Sequence, residues 1–361
     1  MIRAILNSFL RSYVIKVKKA LNLAIKPRFL NFAVTYLCNS HCTMCNIWKY
    51  YKINRGDFDK ELSSDEIKRF FTENRHFLSG LRHIGLSGGE AFLRRDLVEI
   101  VRIIREEAPK AKLGIQTNGL AFPLIQKRLS EIFSFYPQIS LAVSLDGTEL
   151  THNTVRGDSN SFKNAIDTVN FAKDLGVKSI TMGMTITKEN CREIEETKKI
   201  VEDLGGEFSC FFPDKSYYFN NEDEDYLFDT QMKDIVIEKL KLFPYHYFMD
   251  NLRRKLEGGN WRRRIPCYSG YSSIAIDPYG FVRACILRPE IFGNIRGMKL
   301  KDILYSKESL RIKQDLKKCT CWSQCEVSTS AIMDCIDVAR WFVFACKDKK
   351  GFLQKTMQRW A

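Results

Sequence analysis

Residues 36–48 read Tyr36-Leu-Cys-Asn-Ser-His-Cys-Thr-Met-Cys-Asn-Ile-Trp48, and the rest of this chain of 361 residues is organised around them. Cys38, Cys42 and Cys45 stand there at C-x3-C-x2-C spacing, directly after an apolar run that predicts a buried strand. Three thiolates on one loop can converge on a metal centre, and both zinc and iron–sulfur clusters accept thiolate ligands. Three protein ligands leave one corner of a 4Fe–4S cube open to another molecule, whereas a structural zinc site is closed. Spacing alone leaves zinc, or cysteines that are merely buried, as alternatives.

Five further strands are predicted downstream, and helices alternate with them. The strands span Leu81–Ser87, Lys112–Thr117, Ile139–Leu145, Ser179–Ile186 and Phe208–Phe212, and the helices between them span 96–108, 122–135, 161–175 and 190–204. This alternation predicts a parallel sheet with helices outside it. With the first strand there are six strand–helix units, too few to close an eight-stranded barrel.

Polar motifs follow three of these strands, at the carboxyl ends where chemistry gathers in βα folds. They are Gly88-Gly-Glu90, Thr117-Asn-Gly119 and Val143-Ser-Leu-Asp-Gly147. Glycines let the backbone approach a ligand, and a carboxylate can accept hydrogen bonds from an ammonium group. Each motif alone is also compatible with an ordinary turn.

Together, the cysteine loop and these motifs resemble the radical S-adenosylmethionine (SAM) enzymes over roughly residues 30–212. The resemblance implies an α/β fold, an open (β/α)6 partial TIM barrel. It implies that Cys38, Cys42 and Cys45 hold a 4Fe–4S cluster whose fourth iron binds the amino and carboxylate groups of SAM. Reductive cleavage of SAM would then yield a 5′-deoxyadenosyl radical that abstracts hydrogen from an unactivated carbon.

The same resemblance implies a set of SAM-binding residues around the cluster. They are Met44, Gly88, Gly89, Glu90, Thr117, Asn118, Ser144, Asp146 and Arg156. Ala91 stands where the family's GGEP element usually has proline. For Arg156 an alternative stays open, namely a loop arginine that pairs with Asp158.

Seven cysteines lie beyond residue 262: Cys267, Cys285, Cys319, Cys321, Cys325, Cys335 and Cys346. The first two bracket a predicted β-hairpin centred on Asp277-Pro-Tyr-Gly280. The arrangement resembles the SPASM or twitch extension, a small cysteine-rich α+β module, although its C-x-C-x3-C-x9-C spacing departs from the full SPASM pattern.

We expect one auxiliary 4Fe–4S cluster in this module. Its ligands would be Cys267, Cys285, Cys321 and Cys325, with Cys319 as the alternative to Cys321. Two clusters or a closed zinc site remain open. Cys335 and Cys346 are expected in the core, on a C-terminal helix spanning 332–346.

The first 28 residues carry seven basic residues and no acidic one, with apolar residues at helical spacing. Such a helix either lies on an anionic membrane or packs its apolar stripe on the main domain. We predict four segments: this helix (1–28), the barrel (29–213), a helical linker (214–262) and the cysteine-rich module with its C-terminal helix (263–361).

The net charge of +14 favours an anionic partner. We therefore expect a radical SAM enzyme acting on an anionic, membrane-associated or lipid-linked substrate, supplied with electrons by an external donor of the ferredoxin or flavodoxin type. Maturation of a peptide or protein is the alternative. A zinc-holding nucleic-acid-binding protein is the alternative from another class, although the basic residues are not interleaved with aromatics as RNA recognition requires. Many cysteines without a secretion signal predict a cytoplasmic protein, in contact with a membrane if its first helix binds one.

Overall fold

A computed structural model describes residues 2–54, 56–224, 226, 228–243, 246–259, 262–263, 265–334 and 338–339. Most of the predicted C-terminal helix, with Cys335 and Cys346, lies outside these residues. The contacts divide the chain into a sheet unit, 26–227 with 270–313, and a helical unit, 1–25 with 228–269 and 314–361. The segment boundaries predicted at residues 28, 213 and 262 remain predictions.

One sheet, in the sheet unit, contains all the strands of the described residues. In chain order they are β1 (Phe29–Thr35), β2 (His83–Gly88), β3 (Lys112–Thr117), β4 (Ser140–Ser144), β5 (Ser179–Thr185), β6 (Glu207–Phe211), β7 (Ser273–Ile276), β8 (Phe281–Arg283) and β9 (Ile291–Asn294). Their spatial order is β6-β5-β4-β3-β2-β1-β7-β8-β9. Strands β6 to β1 run parallel, as predicted, and the sheet is open, with β6 and β9 at its edges.

The predicted hairpin is present as β7 and β8, but it also extends the main sheet. Strand β7 pairs in parallel with β1, and β8 and β9 follow in antiparallel order. The sequence did not predict this, because the partner of β7 lies more than two hundred residues upstream. As a consequence, side chains of the hairpin strands β7 and β8 share the faces of the sheet with side chains of the barrel strands.

The two faces of the sheet differ in side-chain size. One face carries large apolar residues such as Leu30, Ile84 and Leu113, which are fully buried. The other, which we call the inner face, carries small or polar residues in matching register: Asn31, Ala33, Gly85, Ser87, Gly114, Ala142, Ser144, Gly183 and Ser209. Side chains alternate along a strand, so this pattern leaves open space on the inner face.

Helices account for most of the remaining described residues. They are α1 (Ile2–Ala20), α2 (Tyr50–Ile53), α3 (Ser64–Glu73), α4 (Arg75–Leu78), α5 (Leu97–Glu107), α6 (Phe122–Phe135), α7 (Glu149–Arg156), α8 (Ser161–Leu175), α9 (Ile194–Asp203), α10 (Thr230–Leu240), α11 (Tyr247–Glu257), α12 (Leu300–Tyr305), α13 (Lys307–Asp315) and α14 (Gln324–Met333). Helix α3 begins at a full capping box between Ser63 and Glu66. No helix within the described residues is long and apolar enough to span a membrane.

Between residues 12 and 20, helix α1 packs in the helical unit through its polar face, and most of the apolar stripe in this part of the helix is exposed. Ser12 donates to the carbonyl of Met333 at 2.8 Å, and Lys16 pairs with Asp334 at 2.9 Å. Ile15 is the buried apolar residue on this side. The exposed apolar residues of the stripe are Leu10, Tyr13, Val14, Val17 and Leu21. Among the described side chains, from residue 10 to residue 21, the apolar side of the helix is therefore turned outward.

Candidate active site

The cysteine loop is held between the end of β1 and the last turn of α7. The backbone N–H groups of His41 and Thr43 donate to the carbonyls of Arg156 and Val155, at 3.0 and 2.9 Å. Gly157 ends α7 with φ +70°, and a Cβ at this position would lie 2.8 Å from the His41 carbonyl oxygen. Only glycine suits both the left-handed backbone and the close contact. Helix α7, which the sequence did not predict, thus fixes the loop.

Hydrogen-bond donors surround the sulfur atoms of the loop. Ser40 Oγ lies 3.2 Å from the Cys42 Sγ, and Arg156 Nη1 lies 3.5 Å from the same sulfur. Asn118 Nδ2 lies 3.8 Å from the Cys38 Sγ. Donors aimed at the sulfurs are the outer contacts that orient cluster ligands and tune their potential.

Burial raises the pKa of the Cys38 and Cys45 thiols to about 12. Thiols in such surroundings become thiolate ligands only beside a strong positive charge, which a bound metal supplies. The donor set, three thiols on one loop with polar donors behind them, therefore fits an iron–sulfur cluster. Among the described residues, no three His, Cys, Asp or Glu side chains are close enough to hold a single metal ion.

Glu90 lies behind the cysteine loop and is fully buried. Its Oε2 accepts the backbone N–H of Asn118 at 2.7 Å, and its Oε1 accepts that of Phe92 at 3.0 Å. Burial nevertheless raises the pKa of Glu90 to about 7, because these hydrogen bonds only partly offset desolvation. An ammonium group beside this carboxylate would favour its charged form.

The two glycines before Glu90 lie in close contact with the backbone at the end of β1 and the start of the cysteine loop. A Cβ at Gly88 would lie 2.2 Å from the Thr35 carbonyl oxygen, and a Cβ at Gly89 would lie 2.4 Å from that of Leu37. Their small size therefore lets the end of β2 approach the start of the cysteine loop. Whether they also contact SAM stays a prediction.

Arg156 pairs with Asp146, and the alternative pairing with Asp158 is not observed. Its Nε lies 2.5 Å from the Asp146 Oδ2, in a pair that is almost fully buried. Asp146 Oδ1 also accepts the backbone N–H of Thr185 at 2.7 Å. Arg156 thereby connects β4, β5 and the Cys42 sulfur, and this partner could not be read from the sequence.

The remaining predicted SAM contacts lie at strand ends around the loop. Thr117 Oγ1 and Asn118 Oδ1 each accept a backbone N–H in the turn after β3. Ser144 ends β4 on the inner face, and Met44 packs with Cys42 and Val155. The structure brings all these residues to one end of the sheet, but their contacts with SAM stay predictions.

A cluster of tyrosines beside the cysteine loop was missed by sequence reasoning. Tyr36 stacks on Tyr50 at 4.5 Å between ring centroids and lies 5.7 Å from Tyr218 and 5.5 Å from Tyr279. Cys38 and Cys45 pack against this cluster. The doublets Tyr50-Tyr51 and Tyr217-Tyr218 were the available signal, but aromatic doublets usually belong to the core.

A small pocket opens on the inner face where β1 and β2 meet the hairpin strands. The space in it that a water molecule could occupy is about 10 Å³, and its lining includes Asn31, Ser87, Tyr218, Asp277 and Arg283. Arg283 and Asp277 form a buried ion pair at 2.5 Å. Within the described part of the chain, the Nη2 of Arg283 donates no hydrogen bond. The pocket therefore presents a cation with spare donor capacity.

A second cysteine site lies in the helical unit and consists of Cys267, Cys319 and Cys321. The Cys319 thiol is within hydrogen-bonding reach of both other thiols. Cys319 thus occupies the centre of the group, although the sequence ranked it behind Cys321. Cys325 lies in the first turn of α14 in the same unit, and Cys285 follows β8 in the sheet unit.

Comparisons with known proteins agree with this geometry. The model of the Radical SAM superfamily matches residues 32–201, and that of the SPASM iron–sulfur cluster-binding domain matches residues 267–326. The antilisterial bacteriocin subtilosin biosynthesis protein AlbA of Bacillus subtilis is 26% identical over 74% of this chain and 57% of its own length. The AdoMet-dependent heme synthase of Methanosarcina barkeri is 26% identical over 80% of this chain and 85% of its own.

Solved structures share the fold. Streptococcus suis SuiB bound to its precursor peptide SuiA superposes with a TM-score of 0.61 at 17% identity, over 81% of this chain and 68% of SuiB. An open parallel sheet with a three-cysteine loop at its carboxyl end defines the radical SAM class of proteins. The chain belongs to the radical SAM superfamily of enzymes and carries a SPASM domain. The radical SAM domain implies a 4Fe–4S cluster and SAM as cofactors, and the SPASM domain implies auxiliary iron–sulfur clusters. The chain spans just over half the length of AlbA.

Proposed function

We propose that this enzyme matures a peptide by radical chemistry on an unactivated carbon. The observation that carries the proposal is the cysteine loop at the mouth of an inner face lined by small residues, in a chain similar to a bacteriocin biosynthesis protein. This replaces our expectation of a lipid-linked substrate, because the comparisons favour the peptide alternative. The electron would come from an external one-electron donor.

Each residue of the candidate active site has a proposed role. Cys38, Cys42 and Cys45 hold the cluster, and Glu90 accepts hydrogen bonds from the amino group of SAM. Asn118 donates toward the Cys38 sulfur, Ser40 lies beside the Cys42 sulfur, and Arg156 holds Asp146 in place. When bound, the cluster and SAM together supply a radical able to remove an unactivated hydrogen atom. The protein's part is to place the substrate carbon and to exclude water.

The inner-face pocket is the proposed substrate side of the site. Arg283 is opposite Ala275 in the sheet register, Ala275 is beside Asn31, and all three face inward. The Arg283 charge is already balanced by Asp277, so a second carboxylate would gain little there. A neutral carbonyl oxygen of a peptide fits the remaining donors better, since it satisfies them without burying another charge.

The auxiliary cluster is proposed on the cysteines of the SPASM region. Our proposed ligand set remains Cys267, Cys285, Cys321 and Cys325. Cys319 is now a stronger candidate for a ligand, because its thiol is within hydrogen-bonding reach of the Cys267 and Cys321 thiols. If all ligands are cysteines, the cluster would relay electrons and would not bind substrate directly. Iron and sulfide per chain, measured in single Cys→Ala variants, would identify which of the five thiols hold it.

The peptide proposal can be tested without knowing the peptide. Reconstituted enzyme, SAM and dithionite would be incubated with a low-mass peptide fraction from the source cells, and formation of 5′-deoxyadenosine would be followed. We expect the peptide fraction to stimulate 5′-deoxyadenosine formation several-fold. We also expect mass spectrometry to show that individual peptides have lost hydrogen. The Cys38→Ala/Cys42→Ala/Cys45→Ala variant is the control.

A second candidate follows from the relative named as a heme synthase, which this chain matches over most of both lengths. In that case an iron porphyrin, and not the peptide fraction, would stimulate 5′-deoxyadenosine formation. Stimulation by the porphyrin alone would contradict the peptide proposal.

We also propose that α1 holds the enzyme on an anionic membrane surface. Its outward side presents Leu10, Tyr13, Val14, Val17 and Leu21, and the first 28 residues are basic with no acidic residue. Apolar burial and attraction to anionic headgroups act together on such a helix. Deleting residues 1–25 would be a poor test, because Lys19 donates to the Cys267 carbonyl and would be lost from the second cysteine site.

Substitution of the outward residues tests the membrane proposal more cleanly. Leu10→Gln/Val14→Gln/Leu21→Gln should abolish flotation with phosphatidylglycerol vesicles, whereas Leu150→Gln, at an even more exposed leucine on α7, should not. Unchanged flotation of the triple variant would contradict it. A dimer dissociated by the same substitutions would show that a second copy covers the stripe.

A further inference from the structure

Two cationic side chains converge on the second cysteine site from distant parts of the helical unit. Arg263 Nη1 donates to the Cys321 Sγ at 3.3 Å and to the Cys321 carbonyl at 3.0 Å. Lys19, on α1, donates through its Nζ to the carbonyl of Cys267. Each cation is therefore hydrogen-bonded to a cysteine that is a proposed ligand of the auxiliary cluster.

Both cations are fixed in place by further contacts. Arg263 Nε donates to the Ile265 carbonyl at 2.8 Å, and Nη2 lies 3.5 Å from Ser330 Oγ. The Lys19 ammonium lies 4.6 Å from the centroid of the Tyr268 ring, a cation–π distance. Fixed charges act on a neighbouring centre without having to reorganise.

Anions near the site do not cancel both cations. Glu326 reaches the Cys267 thiol through the hydroxyl of Ser269, and Asp334 pairs with Lys16 and also attracts Lys19. Lys19 and Arg263 are also close enough to repel each other electrostatically. A thiolate-ligated iron–sulfur cluster is anionic and would relieve that repulsion.

We propose that Arg263 and Lys19 are positioning residues that raise the reduction potential of the auxiliary cluster. Reduction adds one negative charge to the cluster, and nearby positive charge stabilises the reduced form more than the oxidised form. Net charge and hydrogen bonds to sulfur are among the main determinants of cluster potential. The inference rests on the auxiliary cluster proposed for the SPASM region.

The test uses the Cys38→Ala/Cys42→Ala/Cys45→Ala protein as parent, so that only the auxiliary cluster remains. Its midpoint potential would be measured by redox titration with electron paramagnetic resonance, after iron and sulfide are quantified. Arg263→Met and Lys19→Met should each shift the midpoint to a more negative value, and Arg263→Lys should recover part of the shift. The exposed neighbours supply matched controls, Arg262→Met and Lys18→Met, which should keep the parent's potential.

The possible outcomes distinguish a failure of this inference from a failure of the proposed auxiliary cluster. A parent without iron and sulfide would overturn the proposed cluster, and the inference with it. A loaded parent whose potential is unchanged by both Met variants would overturn the inference alone. Loss of iron from both Arg263 variants, with Lys19→Met at the parent's potential, would also overturn it, because Arg263 would then serve only to maintain the fold.

Discussion

Arg156 shows how much of the candidate active site depends on single side chains. It pairs with buried Asp146, contacts the Cys42 sulfur, and belongs to the helix turn that holds the cysteine loop. A resemblance to other proteins could single out Arg156 as important. It could not reveal the partner, because Asp146 and Asp158 are both close in sequence and only the folded strands decide between them.

Removing the Arg156 side chain should lower both the stability of the protein and its iron content. Arg156→Met leaves the Asp146 charge buried without its partner, so we expect a loss of about 3–5 kcal/mol in the free energy of unfolding and a lower iron content. Urea unfolding of the unloaded protein would measure the first. Asp146→Asn/Arg156→Met should recover part of the stability, and Arg192→Met, at an exposed arginine, should cost almost nothing. A tolerated Arg156→Met would contradict the assigned role.

Lys313 makes a residue-scale prediction about pH. It is fully buried, its Nζ donates to the Leu304 carbonyl at 2.6 Å, and burial lowers its pKa to about 7. The rings of Tyr271 and Tyr305, at 4.5 and 4.3 Å, favour its charged form and offset part of this cost. Between pH 7 and roughly 10, the unfolded lysine binds a proton that the folded one lacks, so stability should rise with pH in this window.

The Lys313→Met variant should lack this rise. The stability of the variant relative to wild type should be highest below pH 7 and should fall steadily toward pH 10, on top of a constant loss from the missing hydrogen bond. Urea unfolding at several pH values would measure it. Lys307→Met, at an exposed position on the same helix, is the control. A difference that does not vary with pH would refute the prediction.

At the scale of elements, α7 and the cysteine loop behave as one structure. Gly157 ends the helix with a left-handed backbone, and its hydrogen atom faces the His41 carbonyl. Gly176, after α8, is also left-handed, with φ +101° and ψ +15°, but a Cβ there would meet only the ring of Phe133, at 3.3 Å. The two glycines therefore share the left-handed backbone, and only Gly157 lies against a backbone carbonyl.

Paired substitutions at these glycines isolate that contact. Both Gly157→Ala and Gly176→Ala should lose roughly 1 kcal/mol in the free energy of unfolding from backbone strain. Only Gly157→Ala should also displace the cysteine loop, seen as a lower iron content after reconstitution. Equal iron content in both variants would mean that the loop does not depend on its contact with α7.

The elements themselves could largely be predicted from the sequence. Strand β3 and helices α6 and α8 begin and end at the predicted residues, because period-two and period-3.6 apolar patterns are local signals. The attachment of β7 to β1 could not be predicted, since neither strand encodes its distant partner. The inner-face pocket was missed for the same reason, as it needs Arg283 of the hairpin beside Asn31 of the first strand.

At the scale of the whole molecule, the chain combines two cysteine-bearing units whose chemistry is proposed to cooperate. The sheet unit holds the loop of Cys38, Cys42 and Cys45, and the helical unit holds Cys267, Cys319 and Cys321. The helical unit also includes α1, so the proposed membrane helix and the proposed auxiliary cluster share a polar contact through Lys19. In the sequence, Lys19 and Cys267 lie more than two hundred residues apart.

The most direct test of the central claim is the formation of 5′-deoxyadenosine. Wild-type protein and the Cys38→Ala/Cys42→Ala/Cys45→Ala variant would be reconstituted without oxygen, supplied with SAM and dithionite, and analysed by mass spectrometry. We predict 5′-deoxyadenosine from the wild type and none from the variant, although the variant keeps its auxiliary iron. Equal product from both proteins, or zinc in place of iron in the purified wild type, would contradict the assignment of this loop as the site of SAM cleavage.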